Sequence, residues 1–309
     1  MRCKKIVFFV TKITVCIFLT FFVAAVFAGG GKSSGKMSDY IRVSKQEGKV
    51  QMVSLDTPIV KFENKKEGIE VALIGAVHIA DQKYYEELND EFKKYDAVLF
   101  ELVVEEDSKG KDNKLKKQLF DKKKSQKGLQ KSMGEMLDLA YQIDHVDYRA
   151  GNMVHADLTL EEFVKRVSER GDLLLWFISE YLNAIAGMSN GDGLEELELE
   201  GRLVGSIFSS NPALSLKRNI ARIFTSKLAD SSSQSFFKEG SVIISDRNEA
   251  ALKVLKKEIK KGNKKIAIFY GCGHLPEFAT SLKKDFKLQK TKTTWLIAWD
   301  LTKNKTARK

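Results

Sequence analysis

Two of the four histidines of this chain occur in the same short phrase, far apart in the sequence. The first phrase is Gly75-Ala-Val-His78, after the apolar run Val71–Ile74, and the second is Gly271-Cys-Gly-His274, after Ile266–Tyr270. In both, a strand-like run leads into Gly-x-x-His, then an aliphatic residue and an acidic segment with helical periodicity. A chain that uses histidine so sparingly and places half of it alike is expected to bring two imidazoles to one site.

A carboxylate follows a third run of this kind, because the predicted strand Asp96–Phe100 ends on Glu101. Ligands of an open parallel sheet bind at the carboxyl ends of its strands, where His78, Glu101 and His274 are all expected. Two imidazoles and a carboxylate suit a divalent metal with open coordination positions. A single Gly-x-x-His is weak support, since a strand-end histidine often only makes a hydrogen bond. The repeated context is what favours a site.

Other residues that could take part in chemistry also have a simpler structural explanation. His155 and Asp157 could supply a further ligand pair, although a turn-forming aspartate before a capped helix is more common. Cys272 stands between two glycines and could be a nucleophile, or only a small residue on a tight turn. His145 is expected at the surface.

The predicted elements describe an α/β fold. Strands are expected at Val50–Leu55 and Ile59–Phe62, around a turn at Asp56–Pro58, and then at Val71–Ile74 and Asp96–Phe100. A helix capped by Asp81, with Tyr85, Leu88 and Phe92 on one face, would join the last two as a right-handed parallel crossover. Their neighbouring ends would present His78 and Glu101 together.

The C-terminal part is expected to repeat this plan. It would contain a helix capped by Asp246 and stopped by Gly262-Asn263, the strand Lys265–Tyr270, a helix entered through Pro276 and the strand Thr294–Trp299. The central sheet would then be built from two diverged βαβ-like halves.

A mostly helical region, about 132–240, separates the two halves. The phrase Thr159-Leu-Glu-Glu162 predicts a capping box that opens a helix. The apolar segment Leu173–Met188 is expected to be a buried helix, with a hydrophobic lid over a substrate groove as the alternative.

The N-terminus has the pattern of an export signal. Basic residues precede an uncharged stretch from Ile13 to Ala28, which ends in small residues. Residues 1–28 are therefore predicted to be a signal peptide or an uncleaved anchor, followed by a linker at 29–49, the α/β domain at 50–302 and a basic tail at 303–309. Cleavage would place the product in the periplasm or outside the cell. It would also leave Cys272 as the one cysteine, without an intramolecular disulfide.

Much of the net charge of +11 comes from one segment of the chain. The segment Lys109–Lys131 alone has ten lysines against two aspartates, with Phe120 as its one aromatic residue and no arginine. This composition argues against a nucleic-acid-binding face. A solvated loop or helix is the default, and association with an anionic envelope surface or membrane is the alternative.

Four phrases resemble the TraB/GumN family, which includes the enterococcal pheromone-shutdown protein and the TIKI proteases that act on Wnt. They are Leu73–Asp81, Tyr95–Glu101, Asp246-Arg-Asn248 and Tyr270–His274. The resemblance implies a TIKI/erythromycin-esterase/ChaN-like α/β fold. For the TIKI branch it implies peptide cleavage that depends on manganese or cobalt, with zinc as a further metal to consider.

By this resemblance His78, Glu101 and His274 are metal ligands, Glu101 and Arg247 are catalytic, and Asn248 supports them. Arg247 could instead only hold a carboxylate at the start of its helix, and Asn248 could be a capping residue. No organic cofactor is expected.

Three functions remain open. The favoured one is an exported metal-dependent hydrolase of peptides or proteins, with Glu101 as ligand or base. The second is a metal-free hydrolase with a His78/Glu101 acid–base pair. The third is an envelope protein that captures a peptide or haem-like ligand without turnover.

Overall fold

The computed structural model describes residues 37–48, 51–104, 137–170, 202, 205, 206, 208–229 and 242–302. The strands in these ranges are β1 (Arg42–Lys45), β2 (Met52–Asn64), β3 (Ile69–Ala76), β4 (Ile79–Ala80), β5 (Ala97–Phe100), β6 (Ala140–Tyr141), β7 (Met153–His155), β8 (Lys265–Gly271) and β9 (Gln289–Asp300). The α-helices are α1 (Gln82–Phe92), α2 (Gln142–His145), α3 (Leu160–Arg170), α4 (Pro212–Ala229), α5 (Arg247–Lys260) and α6 (Leu275–Lys284). A π-helical turn, Val242–Asp246, precedes α5, and a 3₁₀ turn, Cys272–His274, precedes α6.

A mixed seven-stranded sheet forms the centre, which confirms the α/β class. Its order from one edge is β9, β2, β3, β8, β5 and β7. The strand β1 pairs with the first part of β2 on the side opposite β9, because both strands pair with Ser54–Asp56. The strands β3, β8, β5 and β7 run parallel, whereas β2 is antiparallel to each of its partners.

The strand order differs from the prediction of two separate halves. The strand β8 lies between β3 and β5 and is parallel to both, so the ends that carry His78 and Glu101 are not neighbours. The last strand, β9, returns antiparallel to β2 and therefore does not complete a parallel crossover. Periodicity predicts that strands exist, but it does not reveal which strands become partners when the connection is long.

The predicted turn at Asp56–Pro58 is wrong, since β2 continues through it. The strand β9 pairs with β2 from Ser54 to Glu63. On the other side of β2 the partner changes from β1, which reaches Asp56, to β3, which begins its pairing at Ile59. Pro58 lies in this gap, where a strand tolerates a residue without an N–H group.

Two predicted boundaries also move. The segment assigned as a linker at 29–49 contains β1, and the region at about 132–240 contributes β7 to the main sheet. The predicted signal peptide, the buried helix at Leu173–Met188, the lysine-rich segment Lys109–Lys131 and the tail at 303–309 lie outside the described residues. Among those described, no helix is long and apolar enough to cross a membrane.

Helices cover both faces of the sheet. Ala72 and Ile74 of β3 join a core with α1 and α4, whereas Val71 and Leu73 join a core with α5 and α6. This division follows from the alternation of side chains along a strand. The protein is therefore layered as helices, sheet and helices, a common arrangement for strands that are apolar on both faces.

The predicted helix ends occur at the expected positions, but only some of them have the predicted side-chain cap. The capping box is confirmed, since Thr159 Oγ1 accepts from the backbone N–H of Glu162 at 3.1 Å and the Thr159 N–H donates to Glu162 Oε2 at 2.9 Å. Asp81 and Asp246 stand at the predicted starts of α1 and α5, but neither side chain caps its helix. Gly262 has a φ of 99° directly after α5, as expected for a helix stop.

Candidate functional site

The candidate residues gather at the carboxyl edge of the parallel strands. Glu101 follows β5, and its backbone N–H donates to the carbonyl of Phe269 in β8 at 3.2 Å. The N–H of Gly271 donates to Glu101 Oε2 at 2.7 Å. The second Gly-x-x-His phrase therefore contacts the predicted carboxylate directly, which is the strand-end arrangement expected for an α/β sheet.

His274 is buried and held in one tautomer by Asn248. Asn248 Nδ2 donates to the carbonyl of His274 at 3.3 Å, so Asn248 Oδ1 is the acceptor for His274 Nδ1 at 2.6 Å. The proton of the imidazole therefore resides on Nδ1, which leaves the lone pair on Nε2. That Nε2 lies 3.7 Å from Glu101 Oε1. Asn248 orients the imidazole and does not serve as the capping residue that was the alternative.

His78 has a matching partner, although its own side chain is exposed. Gln142 Oε1 lies 3.2 Å from His78 Nδ1, and Gln142 Nε2 donates to the hydroxyl of Tyr148 at 2.8 Å. With the amide in this orientation His78 also carries its proton on Nδ1 and its lone pair on Nε2. In each of the two motif histidines, a carboxamide side chain thus fixes the same tautomer and leaves the lone pair on Nε2.

The backbone around His78 is fixed by side chains from distant elements. The hydroxyls of Tyr84 and Tyr85, both on α1, donate to the carbonyls of Gly75 at 2.7 Å and Val77 at 2.9 Å. Trp299 Nε1 donates to the carbonyl of Ile79 at 2.8 Å. The main chain is therefore held on both sides of His78, which is itself an exposed residue.

The first glycine of the motif has a packing role. A Cβ atom on Gly75 would lie 2.8 Å from Cys272 Sγ and 2.9 Å from Pro58 Cδ, both closer than real Cβ contacts. Its φ is not in the left-handed region, so the close approach of the two motifs, rather than a turn, requires glycine here.

Arg247 bridges the carboxylates of Glu101 and Asp157. Its Nε donates to Asp157 Oδ1 at 2.9 Å, and its Nη2 lies 2.5 Å from Asp157 Oδ2 and 2.7 Å from Glu101 Oε1. The three side chains are at most 12% exposed. The alternative reading, in which Arg247 holds a carboxylate at the start of its helix, agrees with these contacts, because Arg247 holds two carboxylates and one of them is Glu101.

These contacts set the protonation states of the site. Burial alone would raise the pKa of Glu101, but the charges of Arg247, His274 and His78 and the Gly271 N–H outweigh it and lower the pKa from 4.5 to about 2. Burial lowers the pKa of His274 from 6.5 to about 4, against the opposing pull of Glu101. At neutral pH Glu101 is therefore a carboxylate and His274 a neutral imidazole.

Three other residues considered in the sequence analysis are His155, Cys272 and His145. His155 Nε2 donates to the carbonyl of Leu102 at 2.6 Å, so His155 does not join Asp157 as a ligand pair in this arrangement. Cys272 is fully buried, and burial raises the pKa of its thiol well above the ordinary value. A thiol in this state is a poor nucleophile. His145, expected at the surface, is half-buried and stacks on Tyr85.

The side chains of His78, Glu101 and His274 are of the types that bind a divalent metal, but they do not form a complete ligand shell. In the part of the chain that is described, no three His, Cys, Asp or Glu side chains lie close enough to hold one ion. Glu101 Oε1 and His274 Nε2 are a pair of converging donors. His78 lies near enough for its charge to lower the pKa of Glu101, but its imidazole is held toward Gln142.

The sequence did not predict Gln142 or Tyr148. Gln142 lies in the four-residue helix α2, where no motif marks it, and it reaches His78 because β6 pairs with β4 directly after that histidine. Polar residues surround Gln142 and Tyr148 in the sequence, so composition gave no signal that could connect this pair to His78.

No protein-family model, curated protein or solved structure matches this chain.

Proposed function

We propose that this protein is an exported hydrolase of peptides that uses a divalent metal bound by His78, Glu101 and His274. The main support for this proposal is that a carboxamide side chain is hydrogen-bonded to each imidazole, Gln142 to His78 and Asn248 to His274. The ionised carboxylate of Glu101 lies beside them. Metal-bound histidines commonly donate their second ring N–H to such a partner, which fixes the tautomer and the direction of the lone pair.

The electrostatics support ligand roles. Metals bind carboxylates and neutral imidazoles, and the low pKa values of Glu101 and His274 keep both groups mainly in those forms at neutral pH. Manganese or cobalt is the expected ion and zinc an alternative, since imidazole and carboxylate ligands suit all three. A bound ion would polarise the scissile carbonyl and lower the pKa of a coordinated water.

The same values argue against Glu101 as a general base. A base with a pKa of about 2 accepts protons poorly at neutral pH, and both of its oxygens already have donors. Arg247 and Asp157 hold the carboxylate in place, while Asn248 and Gln142 hold the two imidazoles. These residues orient the groups that would bind the ion.

A metal-free hydrolase is the second candidate, and one observation favours it. Arg247 already neutralises Glu101 at 2.7 Å, as a cation would. In that case the exposed His78, with its lone pair on Nε2, would be the base in place of Glu101. Activity that persists in excess chelator would support this candidate.

We also propose that the protein belongs to the TraB/GumN family, has a TIKI-like fold and is exported through residues 1–28. The order of the four motif phrases supports it, as does their meeting at one sheet edge. N-terminal sequencing of protein from its native host tests the export part: a start at residue 29 is expected, and an intact Met1 in the membrane fraction would indicate an anchor.

Metal analysis tests the site directly. Purified protein reconstituted with Mn²⁺, Co²⁺ or Zn²⁺ should hold about one ion, and the His78→Ala and His274→Ala variants should lose it. His145→Ala is the control, because that imidazole stacks on Tyr85 and is not one of the proposed ligands. A peptide-library digestion, with and without chelator, tests the activity. Full metal occupancy in both motif variants would refute the ligand assignment.

A further inference from the structure

The C-terminal part of the chain is rich in lysines that the proposed hydrolase chemistry does not use. Between residues 256 and 292 there are eleven lysines, three acidic residues and no arginine. All eleven lysines are exposed. This excess of positive charge on the surface therefore needs its own explanation.

The topology brings these lysines to one edge of the sheet. The strand β8 is parallel to β3, and β9 has the same direction because β3 and β9 are both antiparallel to β2. Both strands therefore begin at the amino edge of the sheet, and the helices that precede them, α5 and α6, end there. Lys256 Nζ lies 5.5 Å from the centroid of the Phe286 ring, so the end of α5 adjoins the connection from α6 to β9. The eleven lysines thus form one basic edge, opposite the carboxyl edge where Glu101 lies.

Few carboxylates balance the basic edge. Lys261 pairs with Glu258 at 2.6 Å, and within the described residues it is the one lysine of the eleven that forms an ion pair. Of the other two acidic residues in this range, Asp285 is exposed and Glu277 lies in the first turn of α6, away from the edge. Nearby, Asp96 accepts two backbone N–H groups at the start of β8. The turn between β2 and β3, at the same edge, adds two lysines and one glutamate. The edge therefore keeps a large positive charge.

Ordinary structural roles explain only part of this charge. Two lysines in the last turn of α5 and two in the last turn of α6 are favourable there because of the helix dipole. The two lysines of β9 would discourage pairing of this outer strand with another chain. Lys264, Lys265 and Lys287 follow the helices and are covered by neither explanation.

The composition of the basic edge favours a membrane surface as its partner. Nucleic-acid sites typically add arginine forks and aromatic residues to lysine, whereas this edge has no arginine and its Phe286 is half-buried. The strands β8 and β9 are separated by β3 and β2, so they begin about 14 Å apart, which is beyond the reach of one small anion. Anionic lipid headgroups form an extended array, and each lysine near such a surface raises the affinity about fivefold.

We propose that the basic edge docks the protein on the surface of a membrane that contains anionic lipid. Charge complementarity would provide the affinity, without insertion of apolar residues. Docking by the amino edge would hold the carboxyl edge, with the exposed His78, away from the bilayer. The proposal does not depend on the hydrolase proposal, because it concerns residues at the other edge of the sheet.

Flotation of the purified full chain with lipid vesicles tests the proposal. Vesicles of phosphatidylcholine alone are compared with vesicles that also contain phosphatidylglycerol. The apolar N-terminal stretch would bind both kinds alike, so the difference between them reports the attraction by charge. Binding should increase with the phosphatidylglycerol content and decrease in high salt, which screens exposed charges. Equal binding to both kinds of vesicle would overturn the proposal.

Two double variants with matched changes locate the surface. Lys260→Gln with Lys284→Gln removes one charge from the end of each helix of the basic edge and should weaken binding to the anionic vesicles at least about tenfold. Lys83→Gln with Lys165→Gln removes two exposed helical lysines elsewhere and should weaken it much less. An equal loss in the two variants would refute the assignment to this edge.

Polyuridylate, a soluble polyanion, distinguishes a membrane from a nucleic acid as the partner. The variant with Lys260→Gln and Lys284→Gln should lose affinity for the anionic vesicles more than for polyuridylate. Loss of affinity for polyuridylate alone would show that the edge binds nucleic acid, and the membrane proposal would then be wrong.

Discussion

Replacement of Arg247 by methionine tests the buried charge network. Methionine approximates the length of the arginine stem but leaves Glu101 and Asp157 buried without their cation. Removal of one partner from a buried ion pair commonly costs about 3–5 kcal/mol of unfolding free energy, because the remaining charge is uncompensated. We expect a loss of this size at pH 7.

The size of the Glu101 part follows from its pKa. A fall from 4.5 to about 2, at about 1.4 kcal/mol per pH unit, corresponds to about 3–4 kcal/mol. A lowered folded-state pKa stabilises the protein above pH 4.5, and this contribution is lost as the pH falls toward 2. Without Arg247, burial should raise the pKa of Glu101. The difference between the variant and the wild type should therefore be smaller at pH 4 than at pH 7.

Urea unfolding followed by circular dichroism at both pH values measures these free energies. Lys94→Met is the control, because its ion pair with Glu91 is at the surface and should cost less than about 1 kcal/mol. In a background with Glu101→Gln and Asp157→Asn, Arg247→Met should cost less than it does alone. The reasoning would be refuted if Arg247→Met cost no more than Lys94→Met at pH 7, or cost the same in both backgrounds.

Three further predictions concern the motif residues. Asn248→Leu should remove the acceptor of the His274 Nδ1 proton, so ¹⁵N NMR should show a single Nδ1–H tautomer in wild type and a mixture in the variant; one unchanged tautomer would show that Asn248 does not fix it. The Cys272 thiol, buried and with a raised pKa, should resist iodoacetamide in native protein and react in urea, and rapid native labelling would contradict its burial. Gly75→Ala should lower the unfolding free energy by about 1–3 kcal/mol, because the new Cβ atom would lie 2.8 Å from Cys272 Sγ and 2.9 Å from Pro58 Cδ. Cys272→Ala in the same chain should restore part of the loss. An equal cost of Gly75→Ala with and without Cys272→Ala would show that Cys272 Sγ is not the obstacle.

The parts of the fold that depend on local signals could be predicted from the sequence. The strands β3, β5 and β8, the helix α1 and the capping box at Thr159 all depend on residues a few positions apart. The insertion of β8 between β3 and β5 could not be predicted, because it depends on packing between distant segments.

The same distinction applies to the candidate site. Glu101, Arg247 and His274 were expected together and lie together. Gln142 was missed, because its side chain reaches His78 only after β6 pairs with β4. Asp157 was a possible ligand or a turn-forming residue by sequence, and in the structure it forms a salt bridge with Arg247 that the sequence did not indicate.

The charge of the buried site gives a further reason to expect a cation near His274. Glu101 and Asp157 supply two negative charges and Arg247 one positive charge, while His274 is neutral because burial lowers its pKa. The lone pair of His274 Nε2 and the oxygen Glu101 Oε1 lie 3.7 Å apart, and the fixed tautomer places no proton between them. Arg247 compensates one of the two carboxylates, so the site keeps a net charge of −1 beside the lone pair of His274 Nε2, and a second cation would offset that charge. A proton would require the imidazolium form, which burial opposes. A metal ion at these two atoms would not have that requirement, and this is the reason that we propose a metal ion rather than a proton as the ligand.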